Sequence, residues 1–94
     1  MRKRVLHRRC PRFSRDVQKA CEAGMRISAI WFAVRMIVLD LFPKDRDDPI
    51  GFTMERYPMY TSDAGSGWTI LFAEEERPDG VTAVHLLALV RRGG

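Results

Sequence analysis

The sequence predicts a single α+β domain over residues 1–94, in which a helical hairpin packs on one face of a mostly antiparallel sheet. Two apolar β-type runs lie within residues 68–90, and the Pro-Asp-Gly turn at 78–80 joins them as a hairpin. The second run, 81–90, is largely apolar on both faces and therefore needs cover. Residues 11–42 are the upstream segment long enough to cover it with helices, so the predicted element order is β-α-α-β-β-β.

The first element and the first helix lie within residues 3–23. Residues 3–9 are compatible either with a short strand or with a flexible basic arm. Helix one is predicted over 11–23, because Pro11 suits the first turn of a helix and Gly24 suits a left-handed cap after the last turn. The residues at helical spacing that predict its buried side are Phe13, Val17, Ala20 and Cys21.

Helix two is predicted over residues 26–42, where an unusually broad apolar stripe indicates burial on more than one side. Strands are the competing interpretation because the segment is rich in β-branched residues. A run of this length without Gly or Pro is ordinary for a helix and long for a strand, and Pro43 ends it. The stripe comprises Ile27, Ile30, Trp31, Val34, Ile37, Val38 and Leu41.

The second half of the chain predicts the remaining strands. Residues 50–57 alternate well enough for a strand, and Pro58 marks an edge or a bulge after it. Residues 62–67 predict a flexible turn before the strand at 68–73. The three consecutive glutamates at 74–76 predict a solvated hairpin end rather than a metal site, because side chains alternate in direction along a strand.

The charge of the chain is concentrated at its N-terminus. The net charge is +4, and the first 15 residues hold seven basic residues and no acid. Such a field attracts nucleic acid, an anionic membrane or an acidic protein, and we expect contact with nucleic acid that weakens steeply with salt. The candidate nucleic-acid-binding residues are Arg2, Lys3, Arg4, Arg8, Arg9 and Arg12.

The cysteines and the apolar segments predict the cellular compartment of the protein. Cys10 and Cys21 would lie roughly 16 Å apart on one helix, too far for a disulfide, so we expect free thiols in a reducing cytoplasm. No apolar region for export follows the basic N-terminus, and Arg35 interrupts the most apolar run, 27–39. A cytoplasmic protein with no membrane partner is therefore expected.

The sequence lacks the calcium-loop, zinc-site and phosphate-loop patterns. Asp45, Asp47 and Asp48 lack the glycine and the distal glutamate of a calcium loop. The two cysteines lack the spacing of a zinc site, and no glycine-rich phosphate loop is present. We therefore expect no metal and no cofactor.

The predicted order of a short basic strand, a helix pair and the later strands resembles the RelE/ParE superfamily of bacterial toxins over nearly the whole chain, and the resemblance is specific over residues 67–92. The resemblance is carried by the pair Gly67-Trp68 opening an apolar strand, the acidic turn, and the aliphatic strand 81–90 followed by Arg91-Arg92. It implies the toxin half of a toxin–antitoxin system, neutralised by a cognate antitoxin whose disordered or helical tail wraps the toxin. The apolar surface of helix two would seat an antitoxin helix or a second copy of the chain.

The resemblance implies two kinds of activity. RelE-like members cleave mRNA in the ribosomal A site, and ParE-like members bind DNA gyrase without nuclease chemistry. The first expectation is a RelE-like endoribonuclease that inhibits translation and growth. The alternatives are a ParE-like toxin that binds DNA gyrase, or a non-catalytic basic protein-interaction module of the same fold.

Metal-independent RNA cleavage needs a base for the 2′-hydroxyl, cations beside the phosphate and an acid for the leaving oxygen. The family's basic residue after the last core strand is matched by Arg91 or Arg92, whereas Thr69 stands where RelE-like enzymes carry a basic residue. The C-terminal tyrosine of the ribosome-dependent enzymes is expected to have no counterpart. The candidate catalytic residues are Arg56, His85, Arg91 and Arg92, with Tyr57 and Tyr60 as further members of a variant site.

His85 has two interpretations. A histidine in the middle of an apolar strand is commonly packed and hydrogen-bonded in the core. In an active site, the same residue would serve as the general acid or base. His7 lies among arginines, and the sequence gives it no role.

Overall fold

A computed structural model describes residues 3–92 of the chain. The helices and strands follow in the order β1 Lys3–Arg9, α1 Pro11–Glu22, α2 Ile27–Val38, β2 Gly51–Phe52, β3 Pro58–Gly65, β4 Trp68–Glu76 and β5 Val81–Arg91. The strands form one five-stranded sheet in the order β1-β5-β4-β3-β2. β1 runs parallel to β5, and the other pairs are antiparallel. The predicted α+β class is confirmed, with a mixed sheet and one more strand than the sequence predicted.

The two helices cover one face of the sheet and enclose the core with it. The helical side of the core is formed by Phe13, Val17, Ala20, Ile30, Ala33, Val34 and Ile37. The sheet side is formed by Ala64, Ile70, Phe72, Val84, Leu86 and Leu89. The other face of the sheet carries no helix within residues 3–92.

Helix α2 ends four residues before the predicted boundary at residue 42. It stops at Val38, and Asp40 then adopts a left-handed conformation with φ of 61°. Aspartate tolerates this conformation better than most residues, so the helix can end before Pro43 is reached. Leu41 consequently leaves the helical stripe and is 64% exposed.

Two of the predicted segments around β3 are wrong. Only Gly51–Phe52 of the predicted strand 50–57 pairs with the sheet, because residues 53–57 close a tight turn through hydrogen bonds between Thr53 and Tyr57. The predicted flexible turn at 62–67 is mostly strand, with the buried Ser62 hydroxyl donating to the carbonyl of Pro43 at 2.9 Å. That bond satisfies the polar group and allows its burial.

A β-bulge changes which residues of β5 share a face. Phe72 pairs with Leu86 and Leu71 pairs with Ala88, so Leu87 is an extra residue. Strict alternation placed Leu89 on the face of His85, whereas the bulge turns Leu89 towards the helices beside Leu86. A second bulge in β1 leaves His7 unpaired between Leu6 and Arg8.

Within residues 3–92, no helix is long and apolar enough to cross a membrane.

Candidate functional site

A cluster of polar side chains lies around His85 on the sheet face opposite the helices. Val84 and Leu86 point into the core, so His85 between them points to the other face. His85 pairs with Ala73 on β4, which places Glu75 diagonally across from it. We call the group of His7, Tyr57, Glu75, Arg77 and His85 the histidine cluster.

Glu75 and His85 form its central contact. The Nε2 atom of His85 lies 2.9 Å from Oε1 of Glu75, and Arg77 Nε lies 3.3 Å from Oε2 of the same carboxylate. The hydrogen bond from His85, and secondarily the contact with Arg77, holds the pKa of Glu75 below its ordinary value of 4.5, although desolvation opposes the shift. Glu75 is therefore a carboxylate near neutral pH and accepts from both neighbours.

The hydrogen bond to Glu75 fixes the tautomer of His85. A carboxylate only accepts, so Nε2 of His85 carries the proton, and in the neutral ring Nδ1 keeps its lone pair. His85 is 5% exposed, and its Nδ1 atom is buried without a hydrogen-bond partner among the described residues. A buried basic nitrogen beside a carboxylate is the arrangement of an oriented general base.

His7 and Arg77 extend the cluster to the outer strand. The NH2 group of Arg77 lies 2.7 Å from Nδ1 of His7, and the His7 and His85 ring centroids are 4.8 Å apart. The bulge in β1 also makes Arg8 the register partner of His85, so Arg8 lies on the same side of the sheet. One uncovered face thus carries two imidazoles, a carboxylate and two guanidinium groups.

Tyr57 covers the cluster from the turn before β3. Its ring stacks on His85 with centroids 5.3 Å apart and planes inclined by 26°. The turn is short, and the exposed Arg56 next to Tyr57 has a positive φ of 72°. The Tyr57 side chain, which comes from a surface turn, therefore covers one face of the His85 ring.

The sequence-predicted catalytic residues are not all brought together. His85 is in the cluster and Arg56 adjoins it in the chain, whereas Arg91 lies six residues farther along β5, roughly 20 Å away at ~3.3 Å per residue. The Arg91 guanidinium stacks over Trp68 at 5.8 Å. Arg92 lies 3.8 Å from Asp45 and 3.9 Å from Asp63. These two arginines lie at and just beyond the C-terminal end of β5, whereas His85 lies in the middle of that strand.

Tyr60 also lies away from the cluster. It packs against Phe72 on the helix-covered side, and the Lys44 ammonium group sits 4.0 Å from the centre of its ring. Tyr60 is therefore part of the core boundary.

The basic N-terminus contains residues with different roles. Arg4 donates to the carbonyls of Val38 at 2.8 Å and Ile37 at 3.1 Å, which satisfies the C-terminal end of α2. Its NH2 group also lies 2.7 Å from Glu74 Oε2, although the two atoms are not aligned as a hydrogen bond. Arg4 is therefore a structural residue, with little charge left for a ligand.

The remaining basic residues lie nearer to solvent. The Arg9 guanidinium stacks over Trp31 at 4.9 Å, and Arg12 pairs with Asp16 at 3.6 Å. Lys3 and Arg8 are exposed on β1. Arg2 lies outside the described residues.

The structure corrects the interpretation of the glutamates as a solvated hairpin end. Strand β4 continues to Glu76, and Glu74 is buried between Arg4 and Lys44, whose Nζ atom is 2.8 Å from Oε1 of Glu74.

Sequence reasoning missed Glu75, Arg77 and His7 as site residues. Counting the hairpin register outward from the turn at 78–80 would have placed Glu75 near His85, but no local pattern places His7 there.

No group of three or more His, Cys, Asp or Glu residues within 3–92 is arranged to hold a metal ion. What the cluster offers chemically is proton transfer at His85 and binding of an anion by the neighbouring guanidinium groups.

A second surface feature lies on the helix-covered side. Between α2 and the end of β3 is an open groove with a volume of about 570 Å³. Phe32 in its wall is 57% exposed and meets Phe42 edge to face at 5.9 Å. We call it the α2 groove, lined by Ala29, Phe32, Ala33, Phe42, Pro43 and Ala64 with Ser28, Asp63 and Gly65 at its margins.

No protein-family model, curated protein or solved structure matches this chain. Its function is therefore inferred from the residues themselves and from the arrangement that they adopt.

Proposed function

We propose that this chain is a RelE-like toxin that cleaves mRNA and so inhibits translation and growth. The proposal is supported by the sequence resemblance over residues 67–92 and by two helices on one face of a sheet whose last strand ends at Arg91, with Arg92 following it. The single observation that carries it is the contact between His85 and Glu75, which leaves Nδ1 of His85 as an oriented base on the uncovered face.

In the proposed reaction, Nδ1 of His85 takes the proton of an RNA 2′-hydroxyl. The 2′-oxygen then bonds to the adjacent phosphorus, and the bond from phosphorus to the 5′-oxygen breaks. The leaving 5′-oxygen receives a proton from solvent, and His85 returns its proton to solvent, so the products are a 2′,3′-cyclic phosphate and a 5′-hydroxyl. Glu75 holds the tautomer and stabilises the imidazolium that forms.

The phosphate backbone would be held by basic residues of the same face. Arg8 shares the register of His85, and Lys3 lies at the start of the same strand. Such contacts supply affinity without sequence preference and weaken with salt. Arg56, which is exposed next to Tyr57 in the turn, would contact a neighbouring phosphate, whereas Arg91 and Arg92 would lie outside the reacting centre.

Substrate entry would displace Tyr57. Its ring now occupies the position over His85 that a nucleobase could take by stacking, and aromatic side chains commonly bind single-stranded RNA in this way. The turn that carries Tyr57 is an exposed connection between β2 and β3, so its movement would leave the core intact.

The partner that neutralises the toxin would be a cognate antitoxin. We propose that an amphipathic antitoxin helix inserts apolar side chains into the α2 groove, with acidic residues facing Arg26, which precedes α2, and Arg35 on α2. A second copy of the chain in the groove is the alternative and would give a dimer. Co-expression of the cognate antitoxin should restore growth, and Phe32→Lys should prevent that rescue.

The burial of His85 favours a second candidate. A histidine that is 5% exposed and stacked by Tyr57 also fits a structural role, in which case the chain would be a ParE-like toxin acting on DNA gyrase or a non-catalytic interaction module. Induced expression in bacteria separates these functions. Growth arrest that His85→Gln relieves supports the nuclease, arrest that persists supports a ParE-like toxin, and normal growth with the unaltered chain supports the interaction module.

A further inference from the structure

We infer that His7 is a second catalytic residue, whose Nε2–H group donates a hydrogen bond to the phosphate that the 2′-oxygen attacks. Arg77 positions the His7 ring for this contact. This inference rests on the proposed function of the His85 site. It adds a residue from the first strand to a site otherwise built on the C-terminal hairpin.

The contact with Arg77 determines which nitrogen of His7 carries the proton. A guanidinium group has five N–H donors and no acceptor, so at 2.7 Å it must donate to Nδ1 of His7. Nδ1 therefore keeps its lone pair, and the neutral ring carries its proton on Nε2. His7 is thereby presented as a hydrogen-bond donor at Nε2.

The bulge in β1 places this donor beside the base. His7 is the extra residue between Leu6, which pairs with Val84, and Arg8, which pairs with His85. Bulges commonly redirect a side chain next to an active site. Here the His7 ring lies 4.8 Å from that of His85, close enough for both to contact oxygens of one phosphodiester.

The two histidines have different environments that suit different tasks. His85 is buried and its Nδ1 has no hydrogen-bond partner in the described part of the chain, whereas His7 is exposed on the edge strand β1. When the 2′-oxygen attacks, charge grows on the non-bridging phosphate oxygens, and a fixed donor stabilises that charge. His7 keeps its proton throughout, so the proton balance of the reaction is unchanged.

Arg77 contacts both Glu75 and His7 and so connects the two histidines of the histidine cluster. Its Nε atom contacts Glu75 at 3.3 Å while its NH2 group contacts His7, so one planar side chain orients both the carboxylate behind the base and the proposed donor. A lysine has no planar fork with two fixed donors and would not hold both partners in this geometry.

Cleavage assays test the proposed role of His7. His7→Ala should cleave RNA about 10²–10³-fold more slowly than the unaltered chain, which is the usual loss when one donor to a developing oxyanion is removed. His7→Gln places an amide N–H near the position of Nε2 and should lose less. If the unaltered chain cleaves RNA and His7→Ala cleaves equally fast, the inference is wrong while the proposed function stands.

A spectroscopic measurement tests the inference separately from cleavage. The chain has two histidines, so the ¹⁵N ring resonances that His7→Ala removes belong to His7. Addition of a 2′-deoxy oligonucleotide, which cannot be cleaved, should shift the Nε2–H resonance of His7, and Arg77→Gln should reduce that shift. A His7 ring protonated only at Nδ1, or no shift on addition of the oligonucleotide, overturns the inference even if the chain proves not to cleave RNA.

Discussion

The Nε2 atom of His85 lies 2.9 Å from Oε1 of Glu75 and links the two strands of the C-terminal hairpin on the uncovered face of the sheet. The contact satisfies one nitrogen of a buried imidazole and leaves the other with a lone pair. Buried polar atoms in proteins are usually paired, so we expect chemistry at a buried nitrogen that has no partner within residues 3–92 and lies beside a carboxylate and two arginines.

Replacement of Glu75 should impair activity more than it impairs folding. Glu75→Gln loses the negative charge that holds the His85 tautomer and stabilises the imidazolium, so RNA cleavage should fall by about 10²–10⁴-fold. Glu76→Gln is the matched control, because Glu76 is the adjacent glutamate and is exposed. Single-turnover cleavage rates measure the effect, and equal rates in the two variants would contradict the role given to Glu75.

The stability contributed by Glu75 should depend on pH in a defined direction. Its pKa is lower in the folded chain than its ordinary value of 4.5, so the contribution is present in full above that value and is lost as pH falls through the folded pKa. The difference in unfolding free energy between the unaltered chain and Glu75→Gln should therefore be constant near neutral pH and shrink below pH 4.5. Urea unfolding from pH 3 to 7 measures it, and a difference that grows towards low pH would refute the prediction.

Arg4 should matter for stability rather than for RNA binding. Arg4→Ala removes two hydrogen bonds to the end of α2 and a charge beside the buried Glu74, which should cost about 2–4 kcal/mol of unfolding free energy. Arg12→Ala removes an exposed guanidinium that pairs with Asp16 at 3.6 Å and should cost less than about 1 kcal/mol. Denaturant unfolding compares the two variants, and similar losses would show that Arg4 has no special structural role.

Arg8 should contribute to the binding of RNA through the phosphate backbone. Arg8→Gln should weaken binding at low salt and reduce the slope of log affinity against log salt by about one unit, since one phosphate contact is lost. Arg35→Gln is the control, because Arg35 is an exposed arginine on α2, which lies on the other side of the sheet. Fluorescence anisotropy with a 2′-deoxy oligonucleotide measures both slopes. If both substitutions reduce the slope equally, RNA binds by general charge and not at this face.

The elements with local signals were predictable from the sequence. Pro11 and Gly24 bracket α1, and the Pro-Asp-Gly turn at 78–80 fixes the hairpin of β4 and β5. The end of α2 was not predictable, because it depends on Asp40 in a left-handed conformation and on Arg4, which comes from a distant part of the chain.

The candidate site was only partly predictable for the same reason. His85 stands out in an apolar strand, but its partners come from two other strands, and a bulge at His7 has no recognisable local pattern. Arg91 ends β5 and Arg92 follows it, yet both lie far from His85 in the same strand, because β5 is extended. Glu75 looked like a solvent-facing residue until pairing across the hairpin placed it beside a histidine.

Cleavage of RNA by purified protein is the decisive experiment. An mRNA, alone and on translating ribosomes, is incubated with the unaltered chain and with His85→Gln, beside an oligonucleotide of the same sequence in which the 2′-hydroxyls are replaced by hydrogen. We expect the unaltered chain to cut only the RNA and to leave 2′,3′-cyclic phosphate ends, and we expect His85→Gln to leave it intact. Intact RNA under both conditions, cutting of the 2′-deoxy strand, or equal cutting by His85→Gln would contradict a nuclease centred on His85 and Glu75.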